Sequence, residues 1–269
     1  MTTLGLNNFE DAKNLAFMLL VVQARLLPMF VMVPFMSRAM VPRTISFAFA
    51  AGIGLLITPI LPSAAAFPQG TGLLFLLVKE AILGLLLGWL AALPFWIFEA
   101  IGFMVDNQRG ANMAAIINPM TGSESTPLGL LMNFAFITYF MAAGGWAIFL
   151  GLIYDSYSFW PPFEFWPRWG SDAGDTVMLQ LNKMILTTLL LSSPAIFIMF
   201  LSEVGLALVS RFAPQLQVFF MAMPIKCALG LFVLIVYSES LFDFGLGPLR
   251  AMSLWVYQLD PLLRTGSGL

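Results

Sequence analysis

The sequence predicts an all-α membrane protein, and its composition and the grouping of its apolar residues carry that prediction. Of the 269 residues, 60% are hydrophobic and only 10% are charged, whereas an ordinary soluble domain carries about 25% charged residues. The apolar residues are gathered into about six long blocks, and a helix that spans a membrane needs about 20 of them in a row. We therefore expect several membrane helices in one chain.

The blocks extend over about 12–36, 46–61, 72–105, 128–153, 177–210 and 216–246. The first and the fourth fit one crossing each, and the second is short. The third, fifth and sixth are too long for a single crossing, and each contains a proline, which removes a backbone donor: Pro94, Pro194 and Pro224. We expect these three blocks to form broken or kinked helices or helical hairpins.

The first block begins after Glu10 and Asp11 rather than after a basic stretch, so we expect a retained helix and not a cleaved signal. It contains Arg25, and an arginine at membrane depth costs at least about 2.5 kcal/mol. Two alternatives stay open: the guanidinium finds a partner, or it reaches the interface near a helix end. The following loop carries Arg38 and Arg43, which favours the cytoplasmic side for it.

The third block has one face of small and acidic residues at steps of three or four. Gly84 and Gly88 form a GxxxG pair, which lets helix backbones approach closely, and the same face carries Glu99, Gly102 and Asp106. We predict that this face contacts protein and not lipid. The residues predicted to pack against other subunits or to line a pore are Gly84, Gly88, Glu99, Gly102 and Lys226.

A polar segment follows, with the sequence DNQRGANMAAIINPMTGSESTPLG from Asp106. Non-helical backbone at membrane depth is tolerated only where protein buries it or it lines a cavity. The segment is either a solvent loop between two crossings or a loop that packs inside something, and its apolar middle favours the second. Asp106 is predicted either to form part of the polar lining of a cavity with Glu99 or to pair with Arg109, one turn further on. The apolar middle consists of Met113, Ala114, Ala115, Ile116, Ile117 and Met120.

The chain has no histidine and a single cysteine, Cys227, so we predict no metal, no cofactor and no catalytic site. The net charge of −2 is spread over the chain and gives no indication of nucleic-acid binding. Isolated charges in the last two blocks are predicted to pair between helices or subunits, with a proton relay as the weaker alternative. These charges are Lys183, Glu203, Arg211, Lys226, Glu239 and Asp243.

Several segments together resemble one family. They are residues 79–129, which include DNQRGA, and residues 210–226, which include APQL and MPIK, with ARLLPMFVMVPF at 24–35 and SYSFWP at 156–161. The chain resembles the SctT family of type III secretion export-apparatus proteins, the virulence-system relatives of flagellar FliR. The resemblance covers most of the chain and is weakest after Arg250.

The resemblance implies a fold similar to a fusion of two sister subunits, SctR and SctS, in one domain over 1–269. It implies assembly with SctR-type and SctS-type subunits, a SctU-type switch protein and a SctV-type export gate. The expected location is the bacterial inner membrane, multi-pass, with part of the assembly raised toward the periplasm. Unfolded secretion substrates in transit and membrane lipid are the other expected partners, and nucleic acid is not expected.

The resemblance further implies that the loop at about 106–127 is a plug that closes the secretion channel. We predict a subunit that forms and gates the channel entrance, and not an enzyme. The alternatives are a self-contained small-solute exporter and a structural scaffold. The predicted plug and gating residues are Asp106, Asn107, Gln108, Arg109, Gly110, Asn112, Met113, Ile116, Ile117, Asn118, Pro119, Met120 and Gly122.

Overall fold

The computed structural model describes residues 9–37, 40–60, 70–110, 126–163, 173–212 and 218–264, and all of its long elements are helices. No strand occurs in these residues, which confirms the all-α prediction. Two short 3-10 turns, Pro34–Met36 and Thr58–Ile60, follow the first two helices. The helices are α1 Phe9–Met32, α2 Arg43–Ile57, α3 Thr71–Arg109, α4 Pro127–Ala142, α5 Gly145–Phe159, α6 Ala173–Phe212 and α7 Val218–Arg264.

Within the described ranges, 4 helical stretches are long and apolar enough to cross a membrane. They are Ala12–Met32, Thr71–Arg109, Val177–Phe212 and Met221–Gly245. The helices Pro127–Ala142 and Gly145–Ser158 pass the same test only as a bent pair. The chain is therefore a multi-pass membrane protein.

The long helices continue past the three prolines at which we expect broken or kinked helices or hairpins, so in the described residues these helices are not broken at the prolines. Pro94 lies inside α3 and Pro194 inside α6, and α7 begins before Pro224 and continues far beyond it. At Pro194 the structure shows the compensation, because the Oγ of Ser193 donates to the carbonyl oxygen of Leu190 at 2.7 Å. That carbonyl is the one left without a donor by the proline, and such local replacement allows proline inside membrane helices.

The broken helix is instead the fourth block, which we had expected to be a single crossing. Gly144 has φ 77°, a left-handed conformation that ends α4 and that glycine adopts without strain. A side chain at Gly145 would overlap the ring of Phe140. The two adjacent glycines therefore separate α4 from α5, and they are the physical reason why one apolar block forms two helices.

The chain divides into two compact units, and the first comprises the described residues up to Ala92, then Trp146–Ala173 and the end of α7. Its core is formed by α1, the first half of α3 and α5. A side chain at Gly84 would overlap the carbonyl oxygen of Arg25, and one at Gly88 would lie 2.8 Å from that of Met29. The GxxxG pair thus lies directly against the backbone of α1 in the same chain. The other core residues of the first unit include Val22, Leu26, Phe30, Leu83, Leu87, Phe149 and Ile153.

The second unit comprises Leu93–Gly145 and Gly174–Ala251, and aromatic residues of α3, α4 and α7 form its centre. Phe98 of α3 stacks on Phe136 of α4 with ring centroids 4.0 Å apart. Phe242 of α7 stacks on Phe98 at 5.3 Å. Phe95 meets Phe136 edge to face at 5.2 Å. The second half of α3 is therefore held by both of its neighbours in this unit.

Candidate functional site

The candidate site lies where α3 ends and α4 begins, at the two ends of residues 111–125. Eight of the predicted plug residues lie outside the described residues, and their role stays a prediction: Asn112, Met113, Ile116, Ile117, Asn118, Pro119, Met120 and Gly122. The structure does describe the five that precede them, from Asp106 to Gly110. It also describes the helix start that follows, from Thr126.

Asp106 is the centre of this site, and its side chain is fully buried. Its Oδ1 forms an ion pair with Nη2 of Arg109, as the spacing in the sequence predicts. Its Oδ2 accepts a hydrogen bond from the backbone N–H of Leu128 at 2.8 Å. A single carboxylate therefore binds both the last turn of α3 and the first turn of α4, which are 22 residues apart in the chain.

The first turn of α4 is capped in a way that the sequence could have shown. Thr126 is the N-cap, and its Oγ1 accepts from the N–H of Gly129 at 3.2 Å. Pro127 follows at the first helical position, where proline is favoured. Asp106 satisfies one further N–H of this turn and places negative charge at the positive end of the helix dipole. The start of α4 is thus fixed by side chains from both sides of the 111–125 segment.

Close backbone packing supports the same junction. A side chain at Gly102 would lie 2.7 Å from the backbone N and Cα of Gly129, so only glycine allows α3 and α4 to approach this closely. One turn earlier, Glu99 accepts a hydrogen bond from Nδ2 of Asn133 at 2.9 Å. Asn133 was missed from the sequence because a single amide in an apolar helix gives no periodic signal. Glu99 and Gly102 pack within this chain, and their role toward other subunits stays a prediction.

The end of α3 also contacts α7. Nη1 of Arg109 lies 3.4 Å from Sγ of Cys227. Gly110 ends α3 with φ 85°, and a side chain there would meet the methyl group of Met223 at 3.6 Å. Arg109 is therefore held by a carboxylate on its own helix and by a thiol on α7. Asn107 is exposed and Gln108 is half-buried on the same last turn.

Lys226, the remaining predicted packing residue, pairs with Glu203 of α6, with Nζ and Oε2 2.6 Å apart. This is a pair between helices of one chain, one of the two possibilities that the isolated charges left open. The pair is only partly shielded, because the Glu203 side chain is 51% exposed. In the part of the chain that the structure describes, no group of three His, Cys, Asp or Glu side chains is placed to hold a metal ion.

A second polar cluster, the Arg25 network, lies in the first unit and was not predicted as a site. Nε of Arg25 forms an ion pair with Oε2 of Glu80 at 2.6 Å, and Nζ of Lys79 lies 3.1 Å from Oε1 of the same carboxylate. All three side chains are buried. The reading in which Arg25 reaches the interface is therefore wrong, because its partner lies on α3 inside the protein.

The Arg25 network also holds the turn at the end of α5. Arg25 donates from Nη1 to the carbonyl oxygen of Ser156 at 2.9 Å and from Nη2 to that of Trp160 at 2.8 Å. Lys79 donates to the carbonyl oxygen of Pro162 at 2.6 Å. These carbonyls lie at the negative end of the α5 dipole. The SYSFWP segment is thus fixed by two cations that share one carboxylate.

Comparison with known proteins gives consistent matches along the chain. Residues 16–250 match the family described as bacterial export proteins, family 1. Yop proteins translocation protein T of Yersinia pestis is 43% identical over 171 residues, 64% of this chain and 66% of that protein. Surface presentation of antigens protein SpaR of Shigella flexneri is 31% identical over 236 residues, 87% of this chain and 90% of that protein. Flagellar biosynthetic protein FliR of Bacillus subtilis is 25% identical over 224 residues, 83% of this chain and 86% of that protein.

Proposed function

We propose that the chain is a subunit of a type III secretion export apparatus, because it belongs to family 1 of the bacterial export proteins. This membership confirms the resemblance to secretion and flagellar export proteins that the sequence showed. In this proposal the chain forms and gates the entrance of the protein secretion channel, and residues 111–125 form the plug. The relatives named for Yop translocation, surface presentation of antigens and flagellar biosynthesis support the role as a subunit of an export apparatus. The geometry at Asp106 supports the plug.

The observation that carries the plug is the double role of Asp106. Its two oxygens bind the end of α3 and the start of α4, so the two helix ends that flank residues 111–125 are held together. Loops whose two ends are close together are frequently functional. Its apolar residues, among them Met113, Ile116 and Ile117, suit a packed position better than water.

The charges at the loop base fit this role because each of them has a partner within the chain. Asp106 is bound by Arg109 and by the N–H of Leu128, and Arg109 is bound by Asp106 and Cys227. In this proposal the plug can move while the contacts of Asp106 and Arg109 stay in place. The segment begins just after Gly110, whose φ of 85° ends α3, and its sequence contains a further glycine, Gly122.

The test is ion leakage through the assembled apparatus in proteoliposomes. Deleting 111–122 keeps Gly110 as the end of α3 and Thr126 as the cap of α4, so the base should still form. We expect the deleted complex to assemble and to leak ions or small solutes. A matched variant replaces 111–122 with glycine and serine at equal length, and it should also leak because it lacks the apolar contacts. A deleted complex that assembles and stays as tight as the wild type would exclude the plug.

The two alternatives give different results in the same preparation. If the chain is only a structural scaffold, the deletion should prevent assembly of the complex, and leakage should change only where assembly is lost. A self-contained small-solute exporter predicts substrate flux by the purified chain alone, with a binding site at broken helices near the midplane. Co-purification with SctR-type and SctS-type subunits, a SctU-type switch protein and a SctV-type gate tests the proposed partners. Protease protection of tagged loops tests the proposed position toward the periplasm.

A further inference from the structure

One face of α7 is exposed between residues 232 and 243, and we define it as the α7 outer face by Phe232, Ile235, Val236, Glu239 and Asp243. The three apolar side chains are exposed by 64%, 73% and 70%, and the two acidic residues are also exposed. At about 100° per residue these five positions fall within about 100° of the helix circumference. They form a single stripe and not a scatter of exposed positions.

The opposite face of α7 is used inside the second unit. A side chain at Gly230 would lie 2.8 Å from Sδ of Met199, and one at Gly245 would lie 2.8 Å from the ring of Phe136. Leu234 and Leu241, between these glycines, are buried. Because these contacts fix the rotation of α7 about its axis, Phe232, Ile235, Val236 and Glu239 are turned away from the second unit, and Asp243, at the edge of the face, is reached by the hydroxyl of Tyr139.

The charge on the α7 outer face is negative and unbalanced. Glu239 forms no hydrogen bond or ion pair with another residue that the structure describes. Asp243, one turn further on, accepts a hydrogen bond from the hydroxyl of Tyr139 at 2.8 Å, which leaves its charge uncompensated. The carboxylate of Glu203 differs from these two, because Lys226 of the same chain neutralises its charge.

Neither lipid nor water suits this face. The distance from Lys226 to Glu239 along the helix is about 20 Å, whereas the hydrocarbon core of a bilayer is about 30 Å thick. A crossing that holds Lys226 at one surface therefore holds Glu239 at hydrocarbon depth, where an unpaired carboxylate is costly. Water would satisfy the carboxylates but would leave Phe232, Ile235 and Val236 exposed. Contact with another protein satisfies both sets of residues.

We propose that the α7 outer face is an interface for a helix of another protein, which places apolar side chains against Phe232, Ile235 and Val236 and a lysine or arginine opposite Glu239. A basic side chain is specified because two carboxylates one turn apart repel each other and a single cation between them removes that repulsion. The proposal rests on membership of a multi-subunit apparatus and does not depend on the plug.

The first test is photo-cross-linking in cells that express the complete apparatus. A benzophenone amino acid at Ile235 should form an adduct with a helix of a different protein, within about one turn of a lysine or arginine. The same amino acid at Phe244, which is exposed by 53% but lies off this face, should not form that adduct. An adduct with lipid or with a second copy of this chain, or no adduct at all, overturns the proposal.

The second test uses charge variants of Glu239. We expect E239Q to lower the recovered amount of assembled complex, and E239K to lower it about tenfold or more, because the lysine repels the proposed cation. Ser240→Lys is the matched control, since it adds the same charge about 100° around the helix and should assemble normally. An aspartate or glutamate in place of the partner's cross-linked basic residue should restore assembly with E239K.

The isolated chain separates this result from misfolding and from failure of the plug. Glu239 is exposed and forms no hydrogen bond or ion pair with the described residues, so E239K should melt at the wild-type temperature in detergent. Assembly of E239K at the wild-type level overturns the interface, whatever the loop deletion shows. A tight loop-deletion complex combined with loss of assembly in E239K would instead exclude the plug and leave the interface supported.

Discussion

At the scale of single residues, the two cations of the Arg25 network depend on one carboxylate. Glu80 binds both Arg25 and Lys79, and all three side chains are buried. Glu80→Gln keeps the shape but takes the carboxylate away from the buried Arg25 guanidinium and removes one contact of the buried Lys79, which should destabilise the isolated chain by about 3–5 kcal/mol. Thermal or denaturant unfolding of the purified chain in detergent measures this loss.

The matched control for that variant is Glu203→Gln, which also removes a carboxylate bound to a lysine. Because Glu203 is 51% exposed, the variant should cost about 1 kcal/mol or less. Equal losses for the two variants would contradict the view that burial makes Glu80 the more important carboxylate. A double variant, Arg25→Met with Glu80→Leu, should be less destabilised than the sum of its parts, since neither Arg25 nor Glu80 is then left facing a missing partner, while Lys79 loses the same carboxylate in the double variant as in the Glu80 variant.

Asp106 permits a residue-scale prediction about the loop base. Asp106→Ala removes the acceptor of the Leu128 N–H, and a buried donor without a partner costs about 1–3 kcal/mol. Hydrogen exchange of the Leu128 amide should therefore accelerate at least about fivefold. Asp106→Asn keeps an acceptor and should change this amide less.

Thr126→Ala separates the role of Asp106 from general fraying of α4. It removes the hydroxyl that caps the N–H of Gly129 at a cost of about 1 kcal/mol. Exchange should accelerate at Gly129 and much less at Leu128. The loop-base assignment is wrong if Asp106→Ala leaves the Leu128 amide as slow as in the wild type.

Residue patterns predicted the local contacts better than the distant ones. The ion pair of Asp106 and Arg109 follows from a spacing of three on one helix. The partner of Arg25 does not follow in this way, because Glu80 lies 55 residues away and its position depends on how α1 packs against α3. Asn133 and Cys227 were missed for the same reason, since each becomes part of the site only through contact between helices.

At the scale of helices, the contact between α1 and α3 depends on Gly84. A methyl group there would overlap the carbonyl oxygen of Arg25, which belongs to the backbone and cannot rotate away. We expect Gly84→Ala to force the helices apart and to lower the melting temperature of the isolated chain, although alanine favours a helix by about 1 kcal/mol. Gly52→Ala is the control, because nothing lies within 4 Å of the added methyl, and it should be neutral or stabilising. A stabilised Gly84→Ala variant would contradict the packing.

Element boundaries show where sequence patterns were sufficient. Apolar length predicted the helices, and the small residues predicted a closely packed face on α3. Of the broken and kinked forms expected at the prolines, the broken form is not found, because a lost donor can be replaced, as Ser193 shows at Pro194. The break between α4 and α5 depends on Gly144 in a left-handed conformation and on Gly145 against Phe140. Those contacts exist only once the helices are packed.

At the scale of the whole molecule, the candidate spans differ strongly in how much of each is buried by the chain itself. The most apolar window of α3 is 67% buried, whereas those of α6 and α7 are 28% and 17% buried. Helix stability in proteins comes mainly from packing, so α3 should be stable in the isolated chain. The helices α6 and α7 should depend on contacts with other proteins or with lipid.

Hydrogen–deuterium exchange of the isolated chain and of the assembled apparatus in one detergent tests this dependence. Amides of α3 should exchange slowly in both preparations, because their packing is internal. Amides of α6 and α7 should exchange faster in the isolated chain and slow down by about tenfold or more on assembly, since regions with few buried contacts open most easily. Using one detergent for both removes the contribution of the micelle. Equal slowing of α3, α6 and α7 would mean that assembly stabilises the chain as a whole, and the exposed faces of α6 and α7 would then not be its principal contact surfaces.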